Sequence, residues 1–248
     1  MNQADNFTSE LLIKAGVKKG SKVLDIGCGR GDVSLLAADL VGSEGNVVGV
    51  DIDSGSIDVA RKKINDLTIS NVSFYTTDAS KVSETIGKFD VIVGRRVLMY
   101  QIKPVEFIRN LQKCLKKNGM IAFQEHDMEM VPSNTQPMPL HCKVQKWLRH
   151  TTSYEGADTS IGFNLYDIFT KAGFKVKEMK AEPIIQTPIE PYNVAAIVEA
   201  ILPRILASNA ATKDEIEIET LEARLSEERS KSNAIYIGDV KFGIWAEF

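Results

Sequence analysis

Val23-Leu24-Asp25-Ile26-Gly27-Cys28-Gly29-Arg30-Gly31-Asp32 decides how the chain is read. The branched, apolar run from Lys22 to Ile26 reads as a buried strand, and Val33-Ser34-Leu35-Leu36-Ala37-Ala38 reads as a helix. Three glycines at alternate positions lie between them and make a tight turn. Such glycines permit positive φ and let a ligand approach with no Cβ in the way, while the helix N-terminus offers free N–H groups. A nucleotide-like ligand is the first expectation. A dinucleotide turn, G-x-G-x-x-G, would need glycine at position 32, where this chain has Asp32; its third glycine, Gly31, comes one residue early. An aspartate there repels a pyrophosphate. A ligand with an amino-acid end and a positive charge suits Asp25 and Asp32 better.

Working outward, Asn46-Val47-Val48-Gly49-Val50-Asp51 is a second strand, and its terminal acid follows Gly31 by one helix and one return strand. Val72-Ser73-Phe74-Tyr75 runs into Thr77-Asp78-Ala79, and Phe89-Asp90-Val91-Ile92-Val93-Gly94-Arg95-Arg96 is a fourth strand with its turn. Taken in order, these stretches resemble the class I S-adenosylmethionine-dependent methyltransferases, with Asp25 to Gly31 in the place of motif I. The resemblance implies S-adenosylmethionine as cofactor. It assigns cofactor contacts to Asp25, Gly27, Cys28, Gly29, Gly31, Asp51, Ile52, Asp78, Ala79, Gly94 and Arg95. Asp51 would take the ribose hydroxyls and Asp78 the adenine amino group, with Gly94 and Arg95 under the methionine moiety. Gln124-Glu125-His126-Asp127, the run Glu155 to Gly162 and Ala172-Gly173-Phe174 look like a branch acting on small molecules.

Strands and helices alternate: strand 22–26, helix 32–42, strand 46–51, helix 54–66, strand 72–76, helix near 80–86, strand 89–93, helix 104–116 and strand 119–124. Alternation of this kind predicts an α/β, doubly wound parallel sheet with ligands at the carboxyl ends of its strands. The family pattern makes it a Rossmann-like sheet of seven strands, mostly parallel with an antiparallel last strand. After strand five come a loop holding Pro132, Pro137 and Pro139, a helix near 140–155, a second helix ending at Gly173, a strand at 174–181 and a final strand at 234–248. The segment 187–232 is too long for a turn and is expected to be a helical cap inserted in a single domain, 1–248. Within it, Ile197, Ile201 and Ile205 repeat at one helical turn and Pro203 should kink or end the helix. From Lys213 to Lys231 a narrow stripe, Ile218, Leu221 and Leu225, runs along a charged helix with glutamates facing out.

A net charge of −3 argues against a broad electrostatic grip on nucleic acid. Three cysteines, Cys28, Cys114 and Cys142, are few and odd in number, which points to a reducing, cytoplasmic setting. No apolar run reaches membrane-spanning length, and the N-terminus lacks an export pattern. The expected partner is a small-molecule substrate, with a homodimer as the assembly to examine, and neither nucleic acid nor membrane.

Methyl transfer from a sulfonium is an in-line displacement, so the protein mainly orients the reactants and excludes water. The acceptor is expected to be an oxygen or nitrogen of a small metabolite. His126, at the end of strand five, is the candidate catalytic base because an imidazole titrates near neutrality. Tyr100 and Glu125 are candidate substrate contacts. His126, Asp127, His141 and Cys142 match no closed metal-site spacing, so no metal is expected. The other readings are a protein or RNA methyltransferase, which would want a basic groove, and a non-catalytic S-adenosylmethionine-binding subunit.

Overall fold

The structure, a computed structural model, describes residues 3–82, 86–129, 138–190 and 192–248. Its elements are α1 (Gln3–Lys14), β1 (Lys22–Ile26), α2 (Asp32–Val41), β2 (Asn46–Asp51), α3 (Ser54–Asp66), β3 (Val72–Thr76), β4 (Phe89–Arg95), α4 (Pro104–Leu111) and β5 (Leu115–Asp127). Then follow α5 (Pro139–Tyr154), α6 (Ile161–Lys171), β6 (Lys175–Gln186), α7 (Val194–Ala200), α8 (Leu202–Ala207), α9 (Lys213–Ile216), α10 (Ile218–Ser232) and β7 (Tyr236–Glu247). The seven strands form one sheet in the order β3-β2-β1-β4-β5-β7-β6. β1 pairs parallel with β2 and β4, β2 with β3, and β4 with β5, while the β5-β7-β6 end is antiparallel. The parallel strands are those that the alternation predicted, and the antiparallel end completes the Rossmann-like arrangement that the family resemblance implied.

Two compact units share the chain, one made of Met1–Glu125, Gly162–Lys180 and Phe242–Phe248 and the other of His126–Ile161 and Ala181–Lys241. In the first unit, Val23, Val47, Val91 and Val93 meet Leu11, Leu12, Ala37, Val41, Ile57 and Trp245 in a continuous apolar core. Glycine is required at two points of the turn after β1. A Cβ on Gly27 (φ +64°) would lie 2.6 Å from Cγ2 of Val97, and one on Gly31 (φ +84°) would lie 2.8 Å from Cζ of Phe74. The left-handed backbone and the close approach both exclude a larger residue. At the second position the close approach comes from Phe74 of β3, so α2 can start directly over that strand.

In the second unit α10 packs against α7 and α5, and α5 against α8. Leu221, Leu225 and Arg229 form the buried line of α10 at four-residue spacing, with Ile218 half-buried. Thr212 and Glu215 cap α9 reciprocally: the Thr212 hydroxyl accepts from the Glu215 N–H and the Glu215 carboxylate from the Thr212 N–H. Thr212→Ala is expected to lower folding stability by about 1 kcal/mol, read as a shift of the urea midpoint, because one helix N–H loses its acceptor.

Several boundaries differ from the sequence reading. α4 ends at Leu111 rather than 116, and β5 begins at Leu115. The register with β4 jumps from Phe89 opposite Leu115 to Val91 opposite Met120, so 116–119 bulge out opposite Asp90, with Asn118 at φ +61°. Lys116 holds the bulge by donating to Asp90 at 2.7 Å. β6 extends past 181 to Gln186 although it contains Pro183, which an edge strand tolerates since no ladder donor is lost in the sheet interior. The helix break expected at Pro203 falls at Ile201, and Pro203 sits in the first turn of α8, where a proline N–H would be unpaired anyway. The charged helix breaks at Glu217 (φ +43°), and Glu228 turns inward rather than out. The helix expected near 80–86 is a short turn, Ala79–Lys81; residues 83–85, like the loop with Pro132 and Pro137, lie outside the described residues.

Candidate active site

At the carboxyl ends of β3, β2, β1 and β4, all within the first unit, lies a cavity of about 330 Å³. The end of β3 supplies Asp78 and Ala79, that of β2 supplies Asp51 and Ile52, and that of β1 supplies Gly27. The segment after β4 supplies Arg96, Val97, Tyr100 and Gln101, and α4 adds Phe107. This volume is in the range of small-molecule sites.

Asp51 organises the floor. Its Oδ2 accepts from the Gly29 N–H at 2.8 Å and its Oδ1 from the Asp53 N–H at 2.9 Å, so one carboxylate ties the glycine turn to the end of β2. Gly29 (φ +51°) has no heavy atom within 4 Å of where a Cβ would be, leaving an open cradle above the turn. An adenosyl sulfonium fits these residues: carboxylate oxygens for hydroxyl donors, bare backbone for close approach, and negative charge for the cation.

The remaining sequence-assigned residues are placed as follows. Asp25 is 1% exposed, accepts from the Ser34 hydroxyl at 2.5 Å and keeps Oδ1 buried with no partner among the described residues. Burial pushes its carboxyl up to about 7, against the Ser34 hydrogen bond and the charge of Arg95. Cys28 is buried with its thiol pushed up by burial, and its backbone closes the turn, its N–H donating to Val50 and its carbonyl accepting from Gly31. Gly94 packs under Phe123, which would lie 2.4 Å from a Cβ there. Arg95 donates to the Thr8 hydroxyl at 3.2 Å and stands 4.0 Å from Asp32, while Thr8 donates to Gln124 at 2.7 Å. The cavity thus gathers Gly27, Asp51, Ile52, Asp78, Ala79 and Tyr100, and leaves Asp25, Cys28, Gly29, Gly31, Gly94, Arg95 and Glu125 outside its lining.

Gln124, Glu125, His126 and Asp127 are all buried, so both faces of the β5 end are covered. Glu125 points its Oε1 at the backbone, accepting from the N–H groups of Val97 at 2.9 Å and Leu98 at 2.8 Å. His126 belongs to the second unit, where its Nδ1 lies 3.1 Å from Oδ2 of Asp239. His141 and Cys142 are also there, and no group of three or more metal-ligating side chains occurs among the described residues. No described helix is long and apolar enough to cross a membrane. Arg96, the last residue of the quoted fourth-strand stretch, completes the cavity with Val97, Gln101 and Phe107, which no motif marks; the nearest signal for Val97 is Gly27, whose missing side chain makes room for it.

Residues 17–173 match a protein family described as a methyltransferase domain. The chain is 36% identical over 104 residues to aklanonic acid methyltransferase DauC of Streptomyces sp. (strain C5), covering 42% of this chain and 47% of that protein. It is 34% identical over 129 residues to the ubiquinone/menaquinone biosynthesis C-methyltransferase UbiE of Azotobacter vinelandii (strain DJ), covering 52% and 49% respectively. The chain thus spans about half the length of the curated relatives it matches. Its fold is similar to the crystal structure of a SAM dependent methyltransferase from Aquifex aeolicus, with a TM-score of 0.56 at 16% identity, covering 97% of this chain and 88% of that one. From the family match, the sheet order and the cavity at the strand ends, it follows that the chain belongs to the methyltransferase-domain family and has the class I fold of S-adenosylmethionine-dependent methyltransferases.

Proposed function

We propose that this chain binds S-adenosylmethionine and transfers its methyl group to a small-molecule acceptor. The observation that carries the reading is the cavity that Asp51 and Asp78, from the ends of adjacent strands, line together with Gly27 of the glycine turn. Asp51 would hold the ribose hydroxyls and Asp78 the adenine amino group; Ile52 and Ala79 would cover the ring faces. Bound there, the cofactor supplies an activated methyl carbon. The chain's own part is to orient and to keep water out, which Val97 and Phe107 do by packing as buried apolar walls. Tyr100, 42% exposed, lines the cavity beyond β4 and would meet the acceptor.

The sequence favours oxygen or nitrogen as the acceptor atom, and the C-methyltransferase named among the relatives adds carbon to the choices. Isothermal titration with S-adenosylmethionine, S-adenosylhomocysteine and, as a control, NAD should give saturable heat for the first two alone. Absence of both heat and a thermal shift with either adenosyl compound removes the proposal.

A further inference from the structure

We propose that Glu125 is a positioning residue whose buried carboxylate holds the Arg96–Tyr100 wall of the cavity in the shape that receives the donor, a reading that rests on the donor binding proposed above. Four observations within the first unit meet at this point. Glu125 is fully buried and does not reach the cavity, yet its Oε1 takes the Val97 and Leu98 N–H groups at 2.9 and 2.8 Å. Those N–H groups open the short helical turn Leu98–Tyr100, whose last residue lines the cavity. Arg96, the residue before them, stands at φ +58°, a left-handed conformation that a side chain adopts only under constraint, and its N–H donates to the Gln124 carbonyl at 2.8 Å. Val97 in turn presses its Cγ2 onto Gly27, the cavity residue from β1. One carboxylate therefore fixes a strained segment against the glycine turn, and backbone donors bound by a charge are held more firmly than by a neutral acceptor.

The clamp is responsive to pH. Burial pushes the Glu125 carboxyl up to about 7, opposed by the N–H groups of Leu98, Val97 and Met99 and by the charge of Arg96. Its second oxygen, Oε2, is buried with no hydrogen-bond partner among the described residues. Above this pKa the carboxylate accepts both N–H groups at full charge; below it the protonated acid is the weaker acceptor, so the wall loosens as pH falls. Burial likewise pushes the carboxyl of Asp25 in β1 up to about 7, so its contribution has to be separated from that of Glu125.

S-adenosylhomocysteine binding, measured calorimetrically from about pH 6 to 8.5, makes the separation. The wild type should lose about threefold or more in affinity on going down through pH 7, and Glu125→Ala should bind about tenfold more weakly than wild type at pH 8. Glu125→Gln, whose amide oxygen can take the same two N–H groups but does not ionise, should recover part of that loss and show a flatter pH profile. Wild-type affinity in Glu125→Ala overturns the proposal, and so does a wild-type pH profile in Glu125→Gln. Should wild type bind no S-adenosylhomocysteine, the donor reading fails separately. The clamp is then judged by amide exchange over residues 97–100, which should be faster in Glu125→Ala than in wild type; equal rates overturn it.

Discussion

Asp51→Ala is expected to weaken S-adenosylmethionine binding by about 3 kcal/mol, on the order of 100-fold in Kd. Two losses combine. The carboxylate is the charged acceptor facing the cavity from the end of β2, where the ribose hydroxyls would sit. It is also the group that ties the Gly29 N–H at 2.8 Å to the Asp53 N–H at 2.9 Å, so its removal frees the glycine turn as well as the ligand's hydroxyls. Asp51→Asn, which keeps one oxygen but not the charge, should fall between wild type and alanine. Titration calorimetry on variants with unchanged far-ultraviolet dichroism is the measurement. An alanine variant binding within about twofold of wild type would show that Asp51 does not hold the donor.

Glu228→Ala should cost about 3 kcal/mol of folding stability, the largest stability effect expected here. Glu228 projects from α10 to the start of α5. Its Oε1 accepts from the Leu140 N–H at 2.8 Å, and its Oε2 accepts from the His141 N–H at 2.9 Å and lies 2.6 Å from the His141 Nδ1. Burial lowers the His141 pKa, against the pull of Glu228, so the ring is neutral at pH 7 and the carboxylate partner assigns the proton to Nδ1. Arg229, nearly fully buried, lies 3.4 Å from the other ring nitrogen and donates to Glu222 at 2.8 Å. Alanine leaves two N–H groups at the α5 start and one imidazole N–H without their acceptor, beside a buried guanidinium. Urea unfolding followed by dichroism would register the loss as a lower midpoint, with Glu228→Gln intermediate. A change below about 1 kcal/mol would mean that α5 and α10 are held by their apolar contacts alone.

How far the sequence could be read follows from the range of the forces involved. The strand, glycine turn and helix at 22–41 were legible because each depends on near neighbours: branched apolar residues favour an extended, buried strand, and left-handed φ at positions 27, 29 and 31 is a property of glycine itself. Asp51 and Asp78 were assigned to the cofactor by the family resemblance, and the folded chain brings both to one cavity. The bulge at 116–119 was not, because Lys116-Lys117-Asn118-Gly119 reads locally as a helix end and only pairing with β4 shows the slack in the strand.

Side-chain destinations at β5 were beyond the sequence too. Alternation predicts one covered face and one pointing to the pocket, but all four residues from Gln124 to Asp127 are buried, and their partners lie far along the chain: Thr8 for Gln124, Val97 and Leu98 for Glu125, Asp239 for His126. Glu228 was expected among outward glutamates because helical periodicity ranks faces by polarity, and only the α5 N-terminus gives its charge a reason to turn in. The sequence by itself thus determined the local ingredients of the sheet, namely the strand, the glycine turn and the helix after it, through backbone preferences that act over a few residues. Tertiary structure alone decided which carboxylates face the cavity, which are buried clamps and how far their pKa values move, since desolvation and hydrogen-bond partners are set by segments tens of residues apart.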